Sequence, residues 1–203
     1  MKIIDQARAP NPRRVRIFLA EKGITVPYEQ LDLGKLEHRS SEFSAQNPFQ
    51  QVPVLILDDG TAISESVAIC RYFEELQPEP ALFGRGAMGR VMVDMWQRRM
   101  ELGLLQPVAH CFRHSHPAMA ELEKPQVREW AEVNRPRALK VLRWLDTELA
   151  GRRYIGGDEH TIADITALVA VQFMKPARIE RPDDLRHVAR WYEEVSSRPS
   201  AAA

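Results

Sequence analysis

The sequence predicts an α/β domain of element order βαβαββα followed by an all-α helical bundle. Three observations carry that prediction. The first third of the chain alternates short apolar runs with helical periodicity, a proline- and glycine-rich stretch (QPEPALFGRG) follows at residues 77–86, and everything beyond has the period of long amphipathic helices. The boundaries are a first domain over 1–77, a linker over 78–86 and an all-α domain over 87–203.

The elements follow in order. Lys2–Asp5 is a short apolar strand, and Pro12–Lys22 is a helix closed by Gly23. Tyr28–Leu33 is a second strand, and Ser41–Ala45 a helical turn ended by Asn47-Pro48. VPVLILDDGTAISES reads as a hairpin, with strands Val54–Leu57 and Ala62–Ser64 around an Asp58-Asp59-Gly60 turn. Ser66–Leu76 is a helix with Val67, Ile69, Cys70 and Phe73 apolar. Strands and helices in this order build a small mixed sheet covered by helices. In the second domain, Met88–His114 and Val127–Leu149 are long and amphipathic, Ile162–Phe173 is strongly apolar, and Leu185–Ser196 ends the helical series.

Composition narrows the function classes. Lys plus Arg (28) balance Asp plus Glu (28), with 9 basic and 12 acidic side chains in residues 1–80 against 19 and 16 in the rest. That asymmetry is too mild for a nucleic-acid stripe. With no 18-residue apolar run and no signal-peptide core, neither a membrane nor a secretory route is expected, and the expected home is the cytoplasm. Cys70 and Cys111 sit within apolar-periodic helices, without metal-like spacing, and read as buried structural thiols. His110, His114 and His116 have no acidic or thiol partner nearby in sequence, so no metal site is expected.

Two short motifs carry chemistry. Proline has no N–H and tolerates a cis bond, so Val52-Pro53 at a strand start can bend the chain and leave Val52's backbone groups unpaired. Such groups can receive an extended peptide by strand addition; on the residues alone, a structural turn is the other reading. Glu65-Ser66 stands where a strand gives way to a helix. Ser66 is a natural N-cap, helix-start N–H groups attract carboxylates, and Glu65 can pair with an ammonium group; a capping residue beside a solvated acid is the alternative. Thr161-x-x-Asp164 before an apolar run is a capping box, with a role in folding.

NPFQQVPVLILDDG, ISESVAICRYFEE and Thr161-Ile162-Ala163-Asp164, in this domain order, resemble the cytosolic glutathione transferases over essentially the whole chain. The resemblance implies a thioredoxin-like first domain, glutathione as cosubstrate, a small electrophile as second substrate, and a homodimer. It implies a cis Val52-Pro53 bond, with Val52 pairing the cysteinyl backbone of glutathione. It also implies that Glu65 and Ser66 hold the γ-glutamyl end while Gln51 and His38 reach the glycyl carboxylate, Gln50 being a weaker candidate. The electrophile pocket is expected between the first loop at Ala9 and the helix from Met88, lined by Trp96 and Met100; that stripe also suits core or subunit packing.

The first loop departs from the family pattern. A glutathione transferase keeps a thiol ionised, and a thiol of pKa about 8.5 is only a few per cent thiolate at pH 7. Shifting it by about 1.5 units requires about 2 kcal/mol of preferential anion stabilisation. ARAPNPRRVR (7–16) offers no hydroxyl or thiol for this: the serine of serine-type classes falls on Ala9, and Tyr28 lies in the wrong element for the tyrosine types. Asn11, read as an N-cap before Pro12, keeps its NH₂ free to donate to a sulfur, together with the helix N-terminus; Arg8 and Arg13 add positive potential or are solvated. The implied function is thiol activation for attack on electrophiles, with glutathione-dependent disulfide or peroxide reduction as a variant. A non-catalytic interaction protein of the same fold is the alternative. A glutathione-using isomerase fits less well, because Ala9-Pro10-Asn11 replaces the Ser-Ser-Cys run of those relatives.

Overall fold

Strand β1 (Lys2–Asp5) lies inside a four-stranded sheet in the computed structural model, which describes residues 1–203. It pairs in parallel with β2 (Tyr28–Gln30) and antiparallel with β3 (Val54–Ile56), which pairs antiparallel with β4 (Ala62–Ser64), giving the order β2-β1-β3-β4. Ile3 opposes Leu55 and Ile4 opposes Val54, and all four are buried. A strand buried on both faces loses the polar alternation of a solvated sheet, as the run Ile3-Ile4 shows.

Helix α1 (Pro10–Lys22) packs with α3 (Ser66–Leu76), and the two helices bury Val15, Ile17, Phe18, Ile69 and Phe73. Burying side chains of this size contributes about 1.5–3 kcal/mol each. The short α2 (Ser41–Gln46) places Phe43 in a second cluster with Ile4, Leu31, Val52 and Val54, against which Ala9 and Leu33 pack. Gly23 closes α1 at φ 66°, where its missing Cβ is an advantage, and its N–H bonds the Ala20 carbonyl at 3.1 Å. Beside it, buried Lys22 lies 2.5 Å from Glu74 and donates to the carbonyls of Gln77 (2.7 Å) and Pro80 (2.6 Å).

The chain divides into two compact units, Met1–Ala81 with Ala202–Ala203, and Leu82–Ala201. In the second, the expected long helix is α4 (Gly86–Met100), a π-helical turn (Glu101–Leu105) and α5 (Gln106–Ser115) end to end. The widened turn has a local cause: Pro107 has no N–H to offer the carbonyl four residues back. Helix α6 (Arg128–Leu149) tolerates Pro136 on an exposed position, and α8 (Arg186–Ser196) buries only Val188, Trp191 and Val195. Helix α7 (Ile162–Met174) is buried at every position from Ile162 to Val171, which is why its sequence is apolar all round. Thr161 and Asp164 form the expected capping box at its start. No helix is long and apolar enough to cross a membrane.

Candidate functional site

The loop after β1 delivers the start of α1, and here the structure corrects the sequence reading. The helix begins at Pro10, not Pro12, and Ala9 is the N-cap (φ −79°, ψ 141°), with no side chain to cap it. Proline suits a first turn because no N–H is needed there and its φ is already helical, so Pro10 claims the first position. Asn11 is therefore the second helical residue and not the cap. Pro10 and Pro12 lack N–H groups and the N–H of Arg13 goes to the Ala9 carbonyl at 3.2 Å, so Asn11 carries the one main-chain donor left at this mouth. Its side-chain amide is exposed beside it.

The segment after α2 is fixed by a residue that sequence reasoning passed over. Asn47 is 2% exposed; its N–H bonds the Phe43 carbonyl (2.9 Å), its Nδ2 donates to the Gln51 carbonyl (2.8 Å), and its Oδ1 accepts from the Phe49 N–H (3.1 Å). The Asn-Pro pair marked a helix end, and an asparagine there folds its side chain onto the next residues as an Asx turn. Gln50 sits at φ 53° and ties back to α2, its Nε2 donating to Ser44 Oγ at 2.9 Å. Gln51 is exposed, the Val52-Pro53 bond is cis, and Val52's N–H and C=O have no partner within the chain. This is a strand-like edge ready for an extended backbone.

At α3 the N-cap is Glu65, not Ser66. Glu65 holds φ 70°, ψ 112°, a conformation that L side chains rarely adopt, with no side-chain cap. Ser66 is the first helical residue and its hydroxyl turns inward: buried Arg14 donates from Nη1 to Ser66 Oγ at 3.0 Å. With its oxygen used as an acceptor, the hydroxyl proton is available to a ligand. The first α3 amide to find a partner is that of Ile69, on the Glu65 carbonyl at 3.0 Å, so the N–H groups of residues 66–68 are orphans of the first turn.

These pieces meet in one shallow, solvent-open cleft lined by Asn11, Asn47, Gln51, Val52, Pro53, Glu65 and Ser66. Two uncapped helix starts, one carboxylate and one unpaired backbone edge face the same space. Chemically, helix-start amides and a hydroxyl suit acid groups, an exposed carboxylate suits an ammonium, and an unpaired strand-like edge suits an extended backbone. Ala9 is half-buried against the Val52 cluster. His38 is buried in a short 3₁₀ turn (Glu37–Arg39) and is not among the cleft-lining residues.

Trp96 and Met100, 2% and 0% exposed, belong to the interior of the second unit. Trp96 stacks on Trp144 (centroids 5.3 Å apart), with the Arg99 and Arg152 guanidiniums 4.9 and 4.7 Å from its ring.

Both cysteines are buried. Burial pushes the Cys70 thiol far up, and burial also raises that of Cys111, whose Sγ lies 3.2 Å from the Ala131 carbonyl. Burial, and then the Asp5 carboxylate, hold the Tyr28 phenol above its ordinary value, so it stays protonated.

Comparison with known proteins identifies the family and the fold. Residues 9–76 match the family model of the glutathione S-transferase N-terminal domain, and residues 104–199 that of the C-terminal domain. The chain is 38% identical over 203 residues to glutathione S-transferase 2 of Saccharomyces cerevisiae, covering 98% of this chain and 87% of that protein. The crystal structure of Gtt2 from Saccharomyces cerevisiae superposes with a TM-score of 0.95 at 38% identity, covering 100% of this chain and 99% of the other. A glutathione S-transferase domain-containing protein of Marinobacter aquaeolei VT8 gives 0.96 at 38% identity, covering 98% and 99%.

Proposed function

The chain belongs to the cytosolic glutathione S-transferase superfamily, enzymes whose cosubstrate is glutathione, and on that premise we propose that this cleft binds glutathione and readies its thiol for attack on small electrophiles. Glu65 takes the γ-glutamyl ammonium, and Ser66 with the orphan amides of α3 takes the adjoining carboxylate. Val52 pairs with the cysteinyl backbone and Gln51 meets the glycyl carboxylate, while buried His38, outside the cleft lining, is not assigned the contact the resemblance implied. The sulfur then lies at the mouth of α1. The observation that carries the reading is the donor pair at Asn11, backbone N–H and side-chain NH₂, in a first turn otherwise stripped of donors by two prolines. In the reaction the thiol proton leaves to solvent, the sulfur lone pair forms the new S–C bond, and the leaving group departs with its bonding electrons.

A second reading, glutathione-dependent reduction of disulfides or peroxides, is favoured by the absence of any hydroxyl or thiol between Ala7 and Arg16. A homodimer is supported by Met88, Val91 and Met92, which leave an apolar stripe on α4 at 73%, 62% and 39% exposure, and a cytoplasmic role in detoxification fits the same assignment.

Calorimetry with glutathione, alongside thiolate absorbance against pH, tests the assignment on wild type and Asn11→Ala. Wild type is expected to bind and to lower the bound thiol by about 1.5 units from its usual 8.5. Asn11→Ala is expected to bind with a thiol pKa close to that of free glutathione. Equal shifts in both would assign the effect to the helix mouth alone, and absence of binding would favour a non-catalytic interaction protein.

A further inference from the structure

The loop carrying Asn11 is held by a closed ring of side chains behind it. The Asp5 side chain, 2% exposed, receives Arg16 Nη1 on both carboxylate oxygens at 2.8 Å and Gln30 Nε2 on Oδ2 at 2.8 Å. The same two side chains then take hold of Ala7: Arg16 Nη2 donates to its carbonyl at 2.7 Å, and its N–H donates to Gln30 Oε1 at 3.0 Å. Gln6 completes the grip, accepting the Arg8 N–H on Oε1 (2.9 Å) and the Ala9 N–H on its carbonyl (3.0 Å). Both polar groups of the Ala7 main chain are thus clamped from α1 and β2, and both clamps are referenced to the last residue of β1.

Ala7 and Arg8 are exposed and have no apolar side chain to anchor them. Their place is set by polar contacts alone, and such a network is stiff only while every member is satisfied. The Arg16 guanidinium meets the carboxylate with one nitrogen and the Ala7 carbonyl with the other, two donors held apart in one rigid plane, whereas an ammonium carries all its donors on a single atom.

The geometry points to Asp5, Arg16 and Gln30 as positioning residues that set the mouth at Ala9–Asn11 against the Val52 edge, an inference that rests on the reading of the cleft as a glutathione site. None of the three lines the cleft, so they act on chemistry only through placement. A misplacement of about 1 Å can lower a rate about a hundredfold while leaving the rest of the binding surface intact. A ring that served the fold alone would alter stability and leave the bound thiol unchanged.

The test uses the full chain. Gln30→Met keeps the length of the side chain and removes both of its hydrogen bonds; Asp5→Asn loosens the other grip and serves if the first variant folds poorly, thermal unfolding being followed for both. Glutathione affinity, thiolate absorbance against pH, and kcat and KM with a chlorodinitrobenzene are measured beside wild type. The expected result is glutathione affinity within about threefold of wild type, kcat lower by about tenfold or more, and the acid limb of the thiolate titration moved up by about one unit. Titration curves in the variants identical to wild type would overturn the positioning role while leaving the glutathione site standing. Wild type that neither binds glutathione nor lowers its thiol pKa would overturn the glutathione reading, and this one with it.

Discussion

The chain begins its helices in two ways, and the difference separates stability from chemistry. At α7 the start is sealed. Asp164 accepts the Ile155 N–H and Trp191 Nε1 on Oδ1 (both 2.9 Å), and the Thr161 N–H (2.9 Å) and hydroxyl (3.1 Å) on Oδ2, all in the buried interior. At α1 and α3 the starts are open: Ala9 and Glu65 cap nothing with their side chains, and the orphan amides face a cleft. A helix start whose donors and acceptors are all used within the protein adds stability and offers a ligand nothing. An uncapped start gives up about 1 kcal/mol of capping and keeps its donors for a guest. Glu65 and Asp164 both place a carboxylate beside a helix start; the first is exposed at an N-cap and bonds none of its helix's amides, the second is 0% exposed at the third helical position and uses both oxygens inside the protein.

Breaking the sealed start should have the largest effect. Asp164→Ala strands two backbone N–H groups, a hydroxyl and an indole N–H in the core, and should cost about 4 kcal/mol or more, read as a lost or much earlier urea transition. Next is Lys22→Met at the closed end of α1, which leaves the Glu74 carboxylate and the Gln77 and Pro80 carbonyls without their ammonium. It should cost about 3 kcal/mol by the same measurement. Ala9→Ser sharpens the comparison from the other side: a hydroxyl at the N-cap can engage the Asn11 N–H and should stabilise the protein by up to about 1 kcal/mol, seen as a higher denaturation midpoint.

The smallest effect concerns pH. Burial, then His114 and Arg113, hold His110 below its usual value against the opposing pull of Glu123. The unfolded chain therefore binds a proton here more readily than the folded one. The resulting stability is present above about pH 6.5 and declines as pH falls from there toward the folded value. His110→Gln should flatten that acid-side decline in thermal melts between about pH 7 and 5.

Much of the fold is legible because it rests on local signals. The buried run Ile3-Ile4, the Asp-Gly turn, the Gly23 stop and the box at Thr161–Asp164 each fix an element from a few residues. Val52-Pro53 and Glu65-Ser66 are visible as backbone-shaping pairs at strand and helix starts, whereas Gln51 and His38 entered only through the family resemblance. At α1 and α3 the boundaries moved because two local rules compete: with prolines at 10 and 12, either could open α1, and with Glu65 beside Ser66, either could cap α3; β2 also stops at Gln30, short of the expected Leu33.

What the chain determined by itself is its order of elements, its all-apolar helix α7, and a first loop with no hydroxyl or thiol. Tertiary structure decided what those residues face. Arg14, separated by 52 positions from Ser66, takes up its hydroxyl oxygen. Asn47 holds Gln51, and Asp5, Arg16 and Gln30 close a ring around Ala7, because strands paired in the order β2-β1-β3 bring the three together. Periodicity and turn chemistry are written in neighbouring residues, whereas hydrogen bonds between distant side chains exist only once the sheet has set its register.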